Sequence, residues 1–137
     1  MSDHFTLRLQ TGTTDRLAQR ARRAGTAPRT LAQRYVEEGM RHDDHPLIHF
    51  VDGPSGRRAA LIGTGLDVWE VIATLYDNDN EVQEAADYLE VSRGLVEAAV
   101  SYYGSYRAEI DAEISLNEEE WRRGYEAFEA GQRALGS

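Results

Sequence analysis

The sequence predicts a mainly α protein: a short N-terminal strand, two helices, a small β-hairpin, a three-helix body and a C-terminal helix. Three observations predict it. Apolar residues recur three and four apart over most of the chain, strict alternation is confined to one short stretch near the N-terminus, and Gly, Pro and Asp/Asn clusters separate the periodic segments. The charge then divides the 137 residues into unequal parts. Residues 1–42 hold eight Arg against four acids, a net of +4, and residues 43–137 hold seven Arg against twenty acids, a net of −13. A basic head on an acidic body fits a binding head joined to a protein-interaction body. Every basic residue is Arg, which suits forked contacts to phosphate or guanine, and which GC-rich coding would produce equally.

Phe5-Thr6-Leu7-Arg8-Leu9-Gln10 alternates at each residue, the period of a half-buried strand. One strand of this length is not stable alone, and no partner lies nearby, so the expected partner is the same strand of a second chain. Thr13 or Thr14 is the expected cap of a helix running to about Ala24, with Gly25 as its stop. Pro28 suits the first turn of a second helix with Leu31, Ala32, Tyr35, Val36 and Met40 on one face. His42-Asp43-Asp44-His45 with His49 has metal-binding residue types, but Pro46 follows and no second shell appears, so a polar linker is expected. Leu47–Val51 and Ala59–Ile62 read as strands around the turn residues 52–58. That turn lacks the Gly-Lys-Ser/Thr ending of a phosphate cradle.

In the body, Val68, Val71, Ile72, Leu75 and Tyr76 form one helical stripe, and Val82, Ala85, Ala86 and Leu89 a second. Ser92 is the expected cap of a third, with Leu95, Val96, Ala99, Val100, Tyr103 and Tyr106 facing inward. The acidic run after Asp77 is no calcium loop, since Val82 and Tyr88 occupy its Gly and bidentate-Glu positions. The second and third helices have helix-turn-helix spacing, but the exposed face with Arg93, Gly94, Glu97 and Ser101 is near neutral in a strongly negative segment, where a duplex would be repelled. Asn117-Glu118-Glu119-Glu120 reads as a capping box opening a last helix, with Trp121, Tyr125, Phe128 and Leu135 along it. That aromatic stripe must be covered, either by the protein's own body or dimer mate or by another protein's groove.

No Cys is present, so neither disulfides nor a Cys-based metal site is expected. Without a leader or an apolar run long enough to span a bilayer, a cytoplasmic protein is expected. No nucleophile–base pair, metal spacing or cofactor motif points to an enzyme.

The alternating strand, the Gly25-Thr26-Ala27-Pro28-Arg29-Thr30-Leu31 turn and the two helix lengths resemble the ribbon-helix-helix family over about Phe5 to His42. The resemblance implies an obligate dimer whose paired strands form an intermolecular two-stranded ribbon in the DNA major groove. Thr6, Arg8 and Gln10 would then face base edges, and the opening of the second helix near Thr26 and Arg29 would hold a phosphate. An exposed strand face carrying one Arg is the plain alternative. Residues 61–72 and 96–103, with Arg107–Asp111, resemble the domain of unknown function 433 over about Leu47 to Glu113. That family favours Arg after Gly-Thr and Pro before Val, where this chain has Gly65 and Asp67. Its members look like VapB-type antitoxins found beside PIN-like ribonuclease toxins. The combined resemblance implies three segments: a dimerising head (1–42), an antitoxin-type body (43–113) and a C-terminal amphipathic helix (114–137). It implies an antitoxin that represses transcription from its operator and neutralises its toxin, with Trp121, Arg122, Tyr125 and Phe128 as candidate toxin contacts. A stand-alone transcriptional regulator with an acidic protein-interaction body is the alternative.

Overall fold

A computed structural model of the single chain describes residues 4–54 and 56–137. It is mainly helical. Among the described residues, six helices and one hairpin follow in the order α1 (Thr11–Ala24), α2 (Pro28–Asp44), β1 (Ile48–Gly53), β2 (Gly56–Leu61), α3 (Val68–Asp77), α4 (Val82–Leu89), α5 (Arg93–Ser105) and α6 (Arg107–Gly136). The chain separates into two compact units, residues 1–44 and 45–137.

In the first unit, residues 4–10 have no regular secondary structure within one chain, so the expected strand is not paired here. Helix α1 begins earlier than expected. Gln10, in extended conformation, is its N-cap, and the Gln10 carbonyl accepts from the Thr14 N–H at 3.0 Å and from Thr14 Oγ1 at 3.3 Å. Thr14 therefore bonds back into the first turn and Thr13 lies inside the helix; neither is the cap. Gly25 ends α1 at φ 67°, ψ 32°, the left-handed conformation that side chains disfavour. The Gly25 N–H reaches the Arg22 carbonyl, and the Thr26 N–H the Ala21 carbonyl. Pro28 is the first residue of α2, as its fixed φ favours. The helix continues to Asp44, so His42, Asp43 and Asp44 form its last turn and not a linker. Among the described residues of this unit, only Ala21 and Leu31 are fully buried.

The second unit carries the main core. Strands β1 and β2 pair antiparallel from Ile48↔Leu61 to Gly53↔Gly56. The ladder thus runs two residues further into the expected turn on one side and three on the other. Gly56 at φ 119° supplies the bend, and Ser55 lies outside the described residues. Gly63 and Gly65 at φ 76° and 72° turn the chain toward α3. Helices α3, α4 and α5 pack on one another as expected, around Val68, Val71, Ile72, Ala85, Ala86, Val96 and Ala99. The inner face of α5 differs from expectation at two positions: Tyr102 is fully buried, while Val100 is 40% exposed. Tyr102 lies at the hub of an aromatic cluster, with ring centroids 4.6 Å from Tyr106, 5.2 Å from His45 and 6.4 Å from Phe50. His45 is therefore a packed residue, not part of a solvated linker.

Helix α6 contains the largest departure. It is continuous from Arg107 to Gly136, so Asn117 lies mid-helix and the expected capping box opens nothing. The N–H groups that an N-cap would serve already have the preceding turn's carbonyls. The first turns pack on the body through the fully buried Ile110 and the partly buried Ile114. A hydroxyl relay ties three helices together here: Tyr76 Oη and Tyr103 Oη lie 2.8 Å apart, and Tyr103 donates to Asp111 Oδ1 at 2.6 Å. The Asp111 bond, with Tyr76 adding, raises the Tyr103 pKa above its ordinary value.

Candidate functional site

The expected base-reading residues Thr6, Arg8 and Gln10 are all exposed on the extended N-terminal segment. The alternate residues Leu7 and Leu9 instead line a groove of about 310 Å³ with Thr13, Arg16, Leu17, Arg20, Ala32, Tyr35 and Val36. The segment thus has two sides, as the alternation implies, though Phe5 is 84% exposed and lies outside the groove. The groove is apolar at its floor and flanked by guanidinium groups.

At the opening of α2, Arg29 is exposed and Thr26 partly buried. The Thr26 N–H is bonded to the Ala21 carbonyl and Pro28 has none, so the open end of this helix offers the N–H groups of Ala27, Arg29 and Thr30. Thr26 therefore presents its side chain there, and not its N–H.

The helix-turn-helix pair α4–α5 presents a neutralised face. Arg93 Nε lies 2.9 Å from Glu97 Oε1, one turn along α5. Ser92 does cap α5, its Oγ accepting from the Leu95 N–H at 3.3 Å.

The candidate toxin contacts lie on the outer half of α6. Trp121, Tyr125 and Phe128 are 68%, 49% and 61% exposed, and Leu135 is 89% exposed. The Trp121 and Tyr125 rings stack at 5.3 Å, 7° from parallel. Arg122 is exposed but falls about 100° around the helix from Trp121, so it leaves the stripe.

Sequence reasoning missed a cleft of about 360 Å³ in the second unit, where the hairpin, the start of α3 and the middle of α6 meet. Arg58 and Asp67 anchor it: Arg58 Nε lies 2.7 Å from Asp67 Oδ2, and the side chains are 26% and 10% exposed. The same oxygen accepts from Trp69 Nε1 at 3.0 Å. Asp67 also opens α3 in a capping-box arrangement with Glu70, whose Oε1 accepts from the Asp67 N–H at 3.2 Å. Gly53 makes room for this arrangement, because the Arg58 guanidinium occupies the place of a Gly53 Cβ. Glu113 of α6 faces the pair. Burial, then the nearby Glu109 and Asp67 carboxylates, push its pKa up to about 7 against the opposing pull of Arg58. A carboxyl group near neutrality beside an ion pair makes the cleft a charge-sensitive junction. Its only sequence signals were Gly53 before Pro54 and the Asp67-x-Trp69-Glu70 spacing, and neither names Glu113.

Among the described residues, no three His, Asp or Glu side chains are grouped to hold a metal ion, and no helix is long and apolar enough to cross a membrane. Comparison with protein-family models, curated proteins and solved structures finds no match to this chain.

Proposed function

We propose that the chain is the antitoxin of a type II toxin–antitoxin pair. Its head binds operator DNA as a homodimer and represses transcription, and its α6 docks on a PIN-like ribonuclease toxin. The observation that carries the reading is the unfinished core of the head. Fewer than 50 residues, with two fully buried side chains among the described ones, do not bury enough surface to fold alone. Leu7, Tyr35, Val36 and Met40 are 56%, 41%, 51% and 57% exposed, and an apolar groove lies beside them. A second head would cover those residues and give residues 5–10 a strand to pair with. Thr6, Arg8 and Gln10 would then share the outer face of a ribbon with hydrogen-bonding groups suited to base edges, in a unit of net positive charge. The neutral α4–α5 face favours the head over the body as the DNA reader. The exposed aromatic stripe on α6 supports a protein partner for the other end.

A gel shift on the chain's own upstream DNA tests the head. Wild-type protein is expected to bind with affinity falling steeply as salt rises, and Arg8→Ala is expected to lose specific binding while remaining dimeric. Unchanged affinity in Arg8→Ala removes the strand from the reading. Co-expression with a neighbouring small nuclease gene, followed by pull-down, tests the other end. DNA binding without toxin capture leaves the stand-alone regulator.

A further inference from the structure

The outer half of α6 carries a pattern that its own fold does not use. Ile110, Ile114, Asn117, Trp121, Gly124, Phe128, Gly131 and Leu135 succeed one another at alternating steps of four and three, a seven-residue repeat on one helix face. Its first members pack on the body, Ile110 fully buried and Ile114 partly; beyond them the same face is exposed. Large and absent side chains alternate along the exposed part. Gly124 and Gly131 lie inside a continuous α-helix without positive φ, and a Cβ added at either would meet nothing within 4 Å. Glycine weakens an exposed helix relative to alanine, and nothing in the chain requires it at these two positions.

We propose that the outer half of α6 pairs with the same segment of a second copy, the helices antiparallel, so that Trp121 and Phe128 of each copy cover Gly131 and Gly124 of the other. One register fills both glycine layers. With Trp121 opposite Gly131, Gly124 falls opposite Phe128 and Asn117 opposite Leu135. Flanking positions also agree: Glu118 lies against Gln132 and Glu120 against Ala134, so no like charges face each other, while Ala127 meets Ala127 at the centre. A parallel pair sets Gly against Gly and leaves a void in those layers. Trp121, Phe128 and Leu135 of two copies, with Tyr125 at the flank, would cover on the order of 800 Å² of apolar surface in total, the size of a weak, transient contact. The pairing does not rest on the toxin reading. Both use the same face, so a toxin that docks there would compete with it.

The Cys-free chain makes the register directly measurable. In full-length protein, Ala127→Cys is expected to cross-link to itself with a short bismaleimide. Leu135→Cys is expected to cross-link not to itself but to Asn117→Cys in a mixture, since two Leu135 residues lie roughly 27 Å apart in this register. Leu135→Cys linking to itself, or Ala127→Cys failing to link, overturns the proposal. Gly131→Leu added to Ala127→Cys is expected to reduce the cross-linked fraction about tenfold, the scale of overfilling a close-packed contact. Helicity should hold or rise, because Leu favours helix over Gly. An unchanged or larger cross-linked fraction in that variant refutes the Gly–aromatic layers, since an unspecific apolar stripe gains from Leu. All arms are read without DNA or toxin.

Discussion

At the scale of single residues, the Arg58–Asp67–Glu113 junction is where small changes have the largest expected effect. Asp67 is held by an ion pair and by the Trp69 indole while nearly buried, so removing Arg58 from it leaves a desolvated carboxylate. Gly53→Ala places a methyl group where the guanidinium lies. The expected loss is about 1–2 kcal/mol, read as a lower urea midpoint at unchanged slope. Glu113 gives a pH dependence of definite sign. Its pKa is raised from the ordinary 4.5 to about 7 in the fold. Stability from this group is therefore full below about pH 4.5, where the carboxyl is neutral folded or unfolded, and falls as pH rises through 7 and the charge must be carried half-buried. Glu113→Gln is expected to stabilise the body at pH 8.5 by about 1 kcal/mol, a value discounted for partial solvent exposure, and to make no difference at pH 4.5. Urea titrations at the two pH values check both halves.

At the scale of elements, helix boundaries were legible wherever one residue acts on its own backbone. Gly25 stops α1, Pro28 starts α2 and Ser92 caps α5, each through a local interaction that neighbouring residues cannot supply. Ser92→Ala is expected to cost about 1 kcal/mol, measured by thermal unfolding of the body. Boundaries that depend on competition were not legible. Thr13 and Thr14 are good caps by type, yet Gln10 reaches the extended conformation first and the Thr14 hydroxyl turns back to its carbonyl. Asn117–Glu120 fits a capping box in every residue type. The motif opens a helix only where the preceding turn is absent, and here Ile110 and Ile114 pin that turn to the body.

At the scale of the whole molecule, the two units differ in how they are completed. The second unit closes a core of its own, with thirteen buried apolar residues in one cluster among the described residues. Among its described residues the head closes over Ala21 and Leu31 alone. If the head is completed by a second head, unfolding has two parts with different concentration dependence. Diluting the protein a hundredfold is expected to lower the head transition by several degrees and to leave that of the body core in place. Calorimetry across that range checks it. Coincident, concentration-independent transitions would show a head that folds without a partner.

The sequence by itself determined the helix stripes, the hairpin, the Gly and Pro punctuation and the charge division between head and body. Those features arise from residues within a few positions of one another, where backbone geometry and periodicity act directly. Only the tertiary structure decided that Tyr102 and not Val100 faces inward, that His45 packs among aromatic rings, and that Arg58, Asp67 and Glu113 share a cleft. Residues 58, 67 and 113 belong to three elements, and no sequence spacing encodes their meeting. It follows from how β2, α3 and α6 pack, and the shifted pKa of Glu113 follows from that packing in turn.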